Sequence, residues 1–223
     1  MNSNFNPSYT GPRPDILALL PEHFSTALDV GCSNGALGLS LKRLRQVSVV
    51  GMEYDPSMAA VAATHLDDVI TGNIESPGIL EQLGNRTFDV IICGDVLEHL
   101  ADPWSVITKL GQHLNAGGCF IASLPNIRHI STIYNLLVKG YWPYRDRGIH
   151  DRTHLRFFTL QNIRELFAHA DLTIQRVETN YRLIEAPSSF NRHAKRVAVG
   201  PLKPFLAFQY LVCAKKNSAT GGF

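Results

Sequence analysis

The stretch Leu28–Gly38, LDVGCSNGALG, decides the fold. The apolar run TALDV stops at Gly31, further glycines follow at Gly35 and Gly38, and ALGLSLKRLR then has the period of a helix. A strand that breaks into glycines and reopens as a helix is the first turn of a doubly wound sheet. The glycines allow a tight turn and let a ligand approach the backbone. Dinucleotide sites favour G-x-G-x-x-G, whose second glycine makes room for a pyrophosphate. Here Ser33 holds that second place, a spacing better suited to a nucleoside without a pyrophosphate.

The same rhythm continues outward. VSVVGMEYD, DDVITGN, FDVIICGDV and CFIASLP read as strands. PSMAAVAATHL reads as a helix with Pro56 in its first turn, and PWSVITKLGQHLNAGG as an amphipathic helix closed by glycines. Upstream, DILALLPEHF predicts a short helix. Strands alternating with helices predict a mostly parallel sheet, and the unbroken apolarity of VIIC and FIAS predicts that both faces are covered. After Pro125 the rhythm breaks. Residues 126–158 hold a helix-like piece (HISTIYNLLVKG), the aromatic run YWPY and the charged stretch DRGIHDRTHLRFFT. LQNIRELFAHA returns to a helix with Thr159 as its N-cap. Two late strands, LTIQRVETN and AFQYLVCAKK, flank a basic, apolar insert from Arg192 to Pro204.

Composition bounds the function. The 223 residues carry a net charge of only +2, which argues against a nucleic-acid partner. Cys32, Cys93, Cys119 and Cys213 form no C-x-x-C pair and read as buried free thiols in a reducing compartment. MNSNFNPSYTGPRP lacks the pattern of a signal peptide, and no apolar run approaches the roughly 20 residues that span a bilayer. The expectation is a cytoplasmic single domain over 1–223, with 1–14 a flexible segment or lid and 217–223 a disordered tail. Peripheral contact of the 192–204 insert with a membrane surface is kept as a second reading beside a plain connector. The oligomeric state is not legible.

Binding candidates follow the strand ends. Glu53 ends the second strand, where a carboxylate can accept hydrogen bonds from both ribose hydroxyls, with Tyr54 beside it. Asn73 and Ile74 follow the third strand and offer an amide side chain and backbone to an adenine edge.

Taken together, DVGCSNG, Glu53, GNI, FDVIICGDVLEHL and LNAGG resemble the class I S-adenosylmethionine-dependent methyltransferases over about residues 25–125. The resemblance implies a Rossmann-like α/β fold with seven strands, the last antiparallel, and an acceptor-pocket insertion after strand five, here 126–158. It implies S-adenosyl-L-methionine as donor and S-adenosyl-L-homocysteine as product. On that pattern Asp29, Gly31 and Gly35, with Cys32, Ser33 and Asn34 between, flank the methionine part. Glu53 takes the ribose, Asn73 and Ile74 the adenine, and Gly94 and Asp95 the wall beside the sulfonium. Tyr9 and Arg13 stand at the right distance to close over the donor, with Arg13 near its carboxylate. The downstream stretch resembles members from bacterial surface-polysaccharide and natural-product pathways.

The expected reaction is O-methylation of a small polar acceptor such as a sugar or a nucleotide- or lipid-linked glycan. N- or C-methylation, a nicotinamide-dependent oxidoreductase and a non-catalytic donor-binding subunit are the alternatives. A hydroxyl acceptor calls for a general base, and His99, His154 and His150 are the candidates. His23, His65, His113 and His169 read as surface positions on helices. Tyr141 and Trp142 offer stacking faces, and Asn126, Arg147, Arg152 and Arg156 offer donors to acceptor oxygens. His150-x-x-x-His154 with Asp151 has the residue types of a metal site, but Gly148 and LRFF argue against the helix that would align them, and no metal is assigned.

Overall fold

The computed structural model describes residues 11–217. Tyr9, with most of the expected lid, and the tail from 218 onward lie outside the described residues. Seven strands form one sheet: β1 (Thr26–Val30), β2 (Ser48–Glu53), β3 (Asp68–Thr71), β4 (Phe88–Gly94), β5 (Leu114–Pro125), β6 (Leu172–Tyr181) and β7 (Ala207–Lys216). Their order is β3-β2-β1-β4-β5-β7-β6. The first five run parallel, and β7 is antiparallel to both of its neighbours.

Alternate residues of β4 explain its continuous apolarity. Ile91 and Cys93 enter one core layer with Leu28, Phe120, Ile107 and Phe167, whereas Val90 and Ile92 enter the other with Ala27, Val49, Leu41 and Ile16. Fully burying each such aliphatic side chain stabilises the fold by about 1.5–3 kcal/mol before chain entropy is counted.

The helices begin where the sequence supplies caps. In α3 (Pro56–Ala62) Asp55 accepts from the Ser57 and Met58 amides. In α4 (Pro103–Gln112) Asp102 accepts from the Ser105 amide. Thr159 caps α6 (Leu160–His169) in a reciprocal box with Asn162. α2 (Ala36–Leu44) opens at Gly35, whose φ of 78° needs no side chain.

Three expected elements differ. α1 covers only Pro14–Leu17, because Pro21 ahead disfavours helical backbone. The glycines after α4 do not close it. Gly117 and Gly118 lie within β5, at the register shift between Phe88 and Val90, and a Cβ on Gly118 would stand 2.8 Å from the Asp89 carbonyl oxygen. HISTIYNLLVKG holds one α turn, α5 (Ile130–Ile133), followed by a wider π turn at Tyr134–Val138. The 126–158 insertion leaves and rejoins the body at one point, where Asn126 bridges Phe158.

Candidate active site

Order reverses between β1 and β4, so the loops leaving their carboxyl ends diverge around a crevice. Such a switch point is where open α/β sheets bind ligands. The floor is tight. Gly31 has φ 70°, and a Cβ there would come 2.6 Å from Val96 Cγ2 on the loop after β4. Ser33 also adopts a positive φ of 50°. Its amide donates to Glu53 Oε2 at 2.7 Å, while the Asp55 amide donates to Oε1 at 2.9 Å, so Glu53 ties the glycine loop to β2. Asn34 Oδ1 accepts from the Ala36 amide. Cys32 is buried, facing away from the crevice against Gly51.

Asp29, at the end of β1, is 3% exposed, and its Oδ2 has no hydrogen-bond partner among the described residues. Burial pushes its carboxyl up to about 7, with Arg13 pulling downward and Glu53 pushing further up. Tyr54 is exposed, Asn73 Oδ1 accepts from the Glu75 amide, and Ile74 packs on the core.

Arg13 reaches across the crevice mouth from the residue before α1. Its guanidinium pairs with Asp95 at 2.8 Å and Asp15 at 3.0 Å and donates to Ser123 Oγ. Burial disfavours the charge, but Asp95 and Asp15 outweigh it and raise the Arg13 pKa. Asp95, with φ 58°, also accepts from Ser123 Oγ and Gln209. One carboxylate thereby joins the N-terminal segment, β4, β5 and β7 beside Gly94.

On the far side of Asp95 the insertion docks. The Leu155 and Arg156 amides both donate to the Glu98 carbonyl, at 2.9 and 3.0 Å. This lays His154 against His99, ring centroids 4.6 Å apart and edge to face. Thr153 Oγ1 donates to Asp151 Oδ1 at 2.6 Å and is therefore the acceptor for His99 Nδ1 at 3.0 Å. His154 Nδ1 points at the Ile149 carbonyl. Each ring thus turns Nδ1 to an oxygen acceptor, an arrangement that favours the Nδ1–H tautomer. Burial and the neighbouring His99 lower the His154 pKa. Glu98 is 1% exposed and its Oε2 has no hydrogen-bond partner among the described residues. Burial and Asp95 drive its carboxyl well above the ordinary range.

His150 stands apart from this pair. It is fully buried, its Nδ1 on Glu185 Oε2 at 2.8 Å, its Nε2 on Thr132 Oγ1 and its ring against Trp142. Asn126 is buried too, donating to the Pro204 and Ala207 carbonyls. Arg152 pairs with Asp146, both on the surface, and Arg156 donates to the Ala101 carbonyl over the Trp104 ring. Tyr141 and Arg147 are exposed. Sequence reasoning missed Glu98 and Glu185. The signal available for each was an acid set among apolar neighbours (VLEHL and LIEAP).

Residues 10–177 match the model of a family described as "Methyltransferase domain". The chain belongs to this family. Its class I S-adenosylmethionine-dependent fold recurs in solved structures. One is a methyltransferase of Haloferax volcanii in complex with the Trm112 activator, with TM-score 0.66, 15% identity and coverage of 96% of this chain and 91% of that one. Another is a methyltransferase of Thermotoga maritima described as a possible histamine N-methyltransferase, with TM-score 0.62, 16% identity and 94% and 89% coverage. At these identities the likeness speaks for the methyltransferase fold alone. Curated relatives include a ubiquinone biosynthesis O-methyltransferase of Cereibacter sphaeroides, 31% identical over 71% of this chain and 64% of the relative. One of the same name from Nitrosomonas europaea is 33% identical over 56% and 55%. The matches thus span less than two thirds of these methyltransferases' own length. Among the described residues no helix is long and apolar enough to cross a membrane.

Proposed function

We propose that the chain transfers a methyl group from S-adenosylmethionine to a ring hydroxyl of a small acceptor, a phenol rather than a sugar. The observation that carries this reading is the His99–His154 pair, each ring held through Nδ1, just past Asp95 at the carboxyl end of β4.

The donor, when bound, supplies an activated methyl carbon on a sulfonium. The crevice fits it on an observation independent of family: Asp29 Oδ2 is an orphaned buried acceptor, suited to an ammonium group. In our reading Glu53 receives the ribose hydroxyls on the lone pairs that the Ser33 and Asp55 amides leave. Asn73 and Ile74 flank the adenine, and the Gly31–Gly35 loop with Cys32, Ser33 and Asn34 gives the methionine part a close backbone wall. Arg13, Gly94 and Asp95 bound the space beside the sulfur. The chain's own task is alignment and the removal of one proton. The hydroxyl proton leaves at the His99–His154 pair as the new O–C bond forms and the old C–S bonding pair stays with the leaving thioether.

Magnitudes favour a phenol. A free imidazole, about 6.5 in water, taking a proton from a phenol near 10 works against about 3.5 pKa units, or ~5 kcal/mol, and the lowering of His154 widens the gap for any acceptor alike. An alcohol near water's 15.7 sets a gap of about 9 units, or ~12 kcal/mol. The relatives named for ubiquinone biosynthesis support the same acceptor class. Tyr141, Trp142, Arg147, Arg152 and Arg156 would border the acceptor, with His150 and Asn126 holding the insertion in shape. Exposed Phe190, Val197, Val199 and Leu202 beside Lys195 and Arg196 suit peripheral contact with an anionic surface, which vesicle co-sedimentation reads directly.

The test is S-adenosylhomocysteine formation over a panel of phenols, catechols and free sugars. Turnover with a catechol or phenol and none with sugars is expected. Turnover with sugars alone would reverse the acceptor assignment, and release of methyl to amines would remove the hydroxyl reading.

A further inference from the structure

We infer that Glu98, His99 and His154 form a binding site for one divalent transition-metal ion of the zinc, cobalt or manganese kind. One ligand atom from each of the three side chains lies within 4.8 Å of the other two. A tetrahedral ion held at 2.0–2.1 Å sets neighbouring ligand atoms roughly 3.3 Å apart, so small side-chain rotations close the site.

Two further observations point to a ligand. Glu98 is 1% exposed, yet its Oε2 has no hydrogen-bond partner among the described residues, an arrangement that costs free energy unless something positive meets it. Each imidazole, moreover, is oriented through Nδ1: His99 by Thr153 Oγ1, itself held by Asp151, and His154 by the Ile149 carbonyl. That is the outer-shell pattern of metal-ligating histidines, which frees Nε2 for the ion. Two nitrogens and one oxygen favour a zinc-like ion over magnesium or calcium, which prefer all-oxygen sites. The stretch first read for metal, His150 with His154 and Asp151, supplies only one ligand. The others come from the turn after β4, which the Glu98 carbonyl clamps to the insertion.

The site's existence does not depend on the acceptor; its role in transfer rests on the proposed hydroxyl acceptor. An ion there would favour the ionised form of an approaching hydroxyl. In the metal-free chain the pair accepts the proton; with the ion bound both Nε2 lone pairs are engaged, and the released proton passes to water instead.

Titrate the chelator-treated full chain with Zn2+ by calorimetry and with Co2+ by visible absorption, monitoring S-adenosylhomocysteine affinity as a control for folding. One equivalent should bind, with Co2+ giving the absorption of a nitrogen-ligated ion. Glu98→Gln and His154→Ala should each weaken binding about 100-fold or more, and Thr153→Val, which removes the exposed hydroxyl that orients His99 together with its bond to Asp151, about 10-fold. Failure of the folded, donor-binding wild type to take up one equivalent would overturn the site. Uptake unchanged in both ligand variants would overturn it equally, placing the ion elsewhere. Tight, variant-sensitive metal binding without transfer to any hydroxyl would sink the acceptor reading and leave the metal site standing.

Discussion

His99 and His154, 55 positions apart in the chain, meet edge to face with ring centroids 4.6 Å apart. Neither strand nor helix brings them together. The Glu98 carbonyl does, by accepting the amides of Leu155 and Arg156. If the pair promotes loss of the acceptor's proton, its removal should cost chemistry and not donor binding. We expect His99→Ala and His154→Ala each to lower kcat about 10²–10⁴-fold. Calorimetry should find their S-adenosylhomocysteine affinity within about twofold of wild type. A parallel loss of both would make the pair a structural brace.

Glu53 accepts the Ser33 and Asp55 amides, and in our reading its remaining lone pairs take the ribose. Hydrogen bonds to a charged group contribute about 1.5–3 kcal/mol each. The loss of even one such bond to the ribose in Glu53→Ala should weaken S-adenosylhomocysteine binding by roughly 10- to 150-fold, and the melting temperature should fall as the Ser33 and Asp55 amides lose their acceptor. Near-normal affinity would contradict the ribose assignment.

Donor binding should also depend on pH through Asp29. Burial raises its folded carboxyl to about 7, above its ordinary 3.8. The folded state therefore prefers the protonated form, and this contribution to stability, fully present below 3.8, is lost as pH rises towards 7. An ammonium docking at Asp29 reverses the preference. Affinity for S-adenosylhomocysteine should rise with pH and level off above about 7, with proton release below it. Calorimetry in buffers of different ionisation enthalpy measures that release, and Asp29→Asn should abolish it.

Much of this was legible in the sequence, and the boundary is physical. The glycine loop, the covered strands and the Thr159 cap are local patterns, and each appears in the fold as a local pattern predicts. The acceptor side is built from tertiary contacts that no spacing encodes. His150 and His154 sit four apart, yet without a helix they diverge, one into the Glu185 network and the other onto His99. Gly117 and Gly118 read as a helix end because glycine marks a C-cap and a strand irregularity alike.

The Glu185 network gives a stability prediction. Burial opposes ionisation of Glu185, but the His150 hydrogen bond and charge hold its carboxyl below the ordinary 4.5. Its contribution is therefore present above about 4.5 and lost as pH falls through the lower folded value. Removing a buried acceptor and leaving its donors unsatisfied costs about 1–3 kcal/mol. Glu185→Ala should lose that much by urea unfolding at pH 7, and less in acid. A cost of that size persisting undiminished at low pH would mean that packing, not charge, holds the insertion.

The central claim, transfer to an oxygen, is tested most directly with donor labelled with 13C in its methyl group. After incubation with a catechol acceptor, carbon NMR should show the label as an aryl methyl ether, one per turnover of S-adenosylhomocysteine. Label on nitrogen or ring carbon, or donor bound without any transfer, would contradict the account.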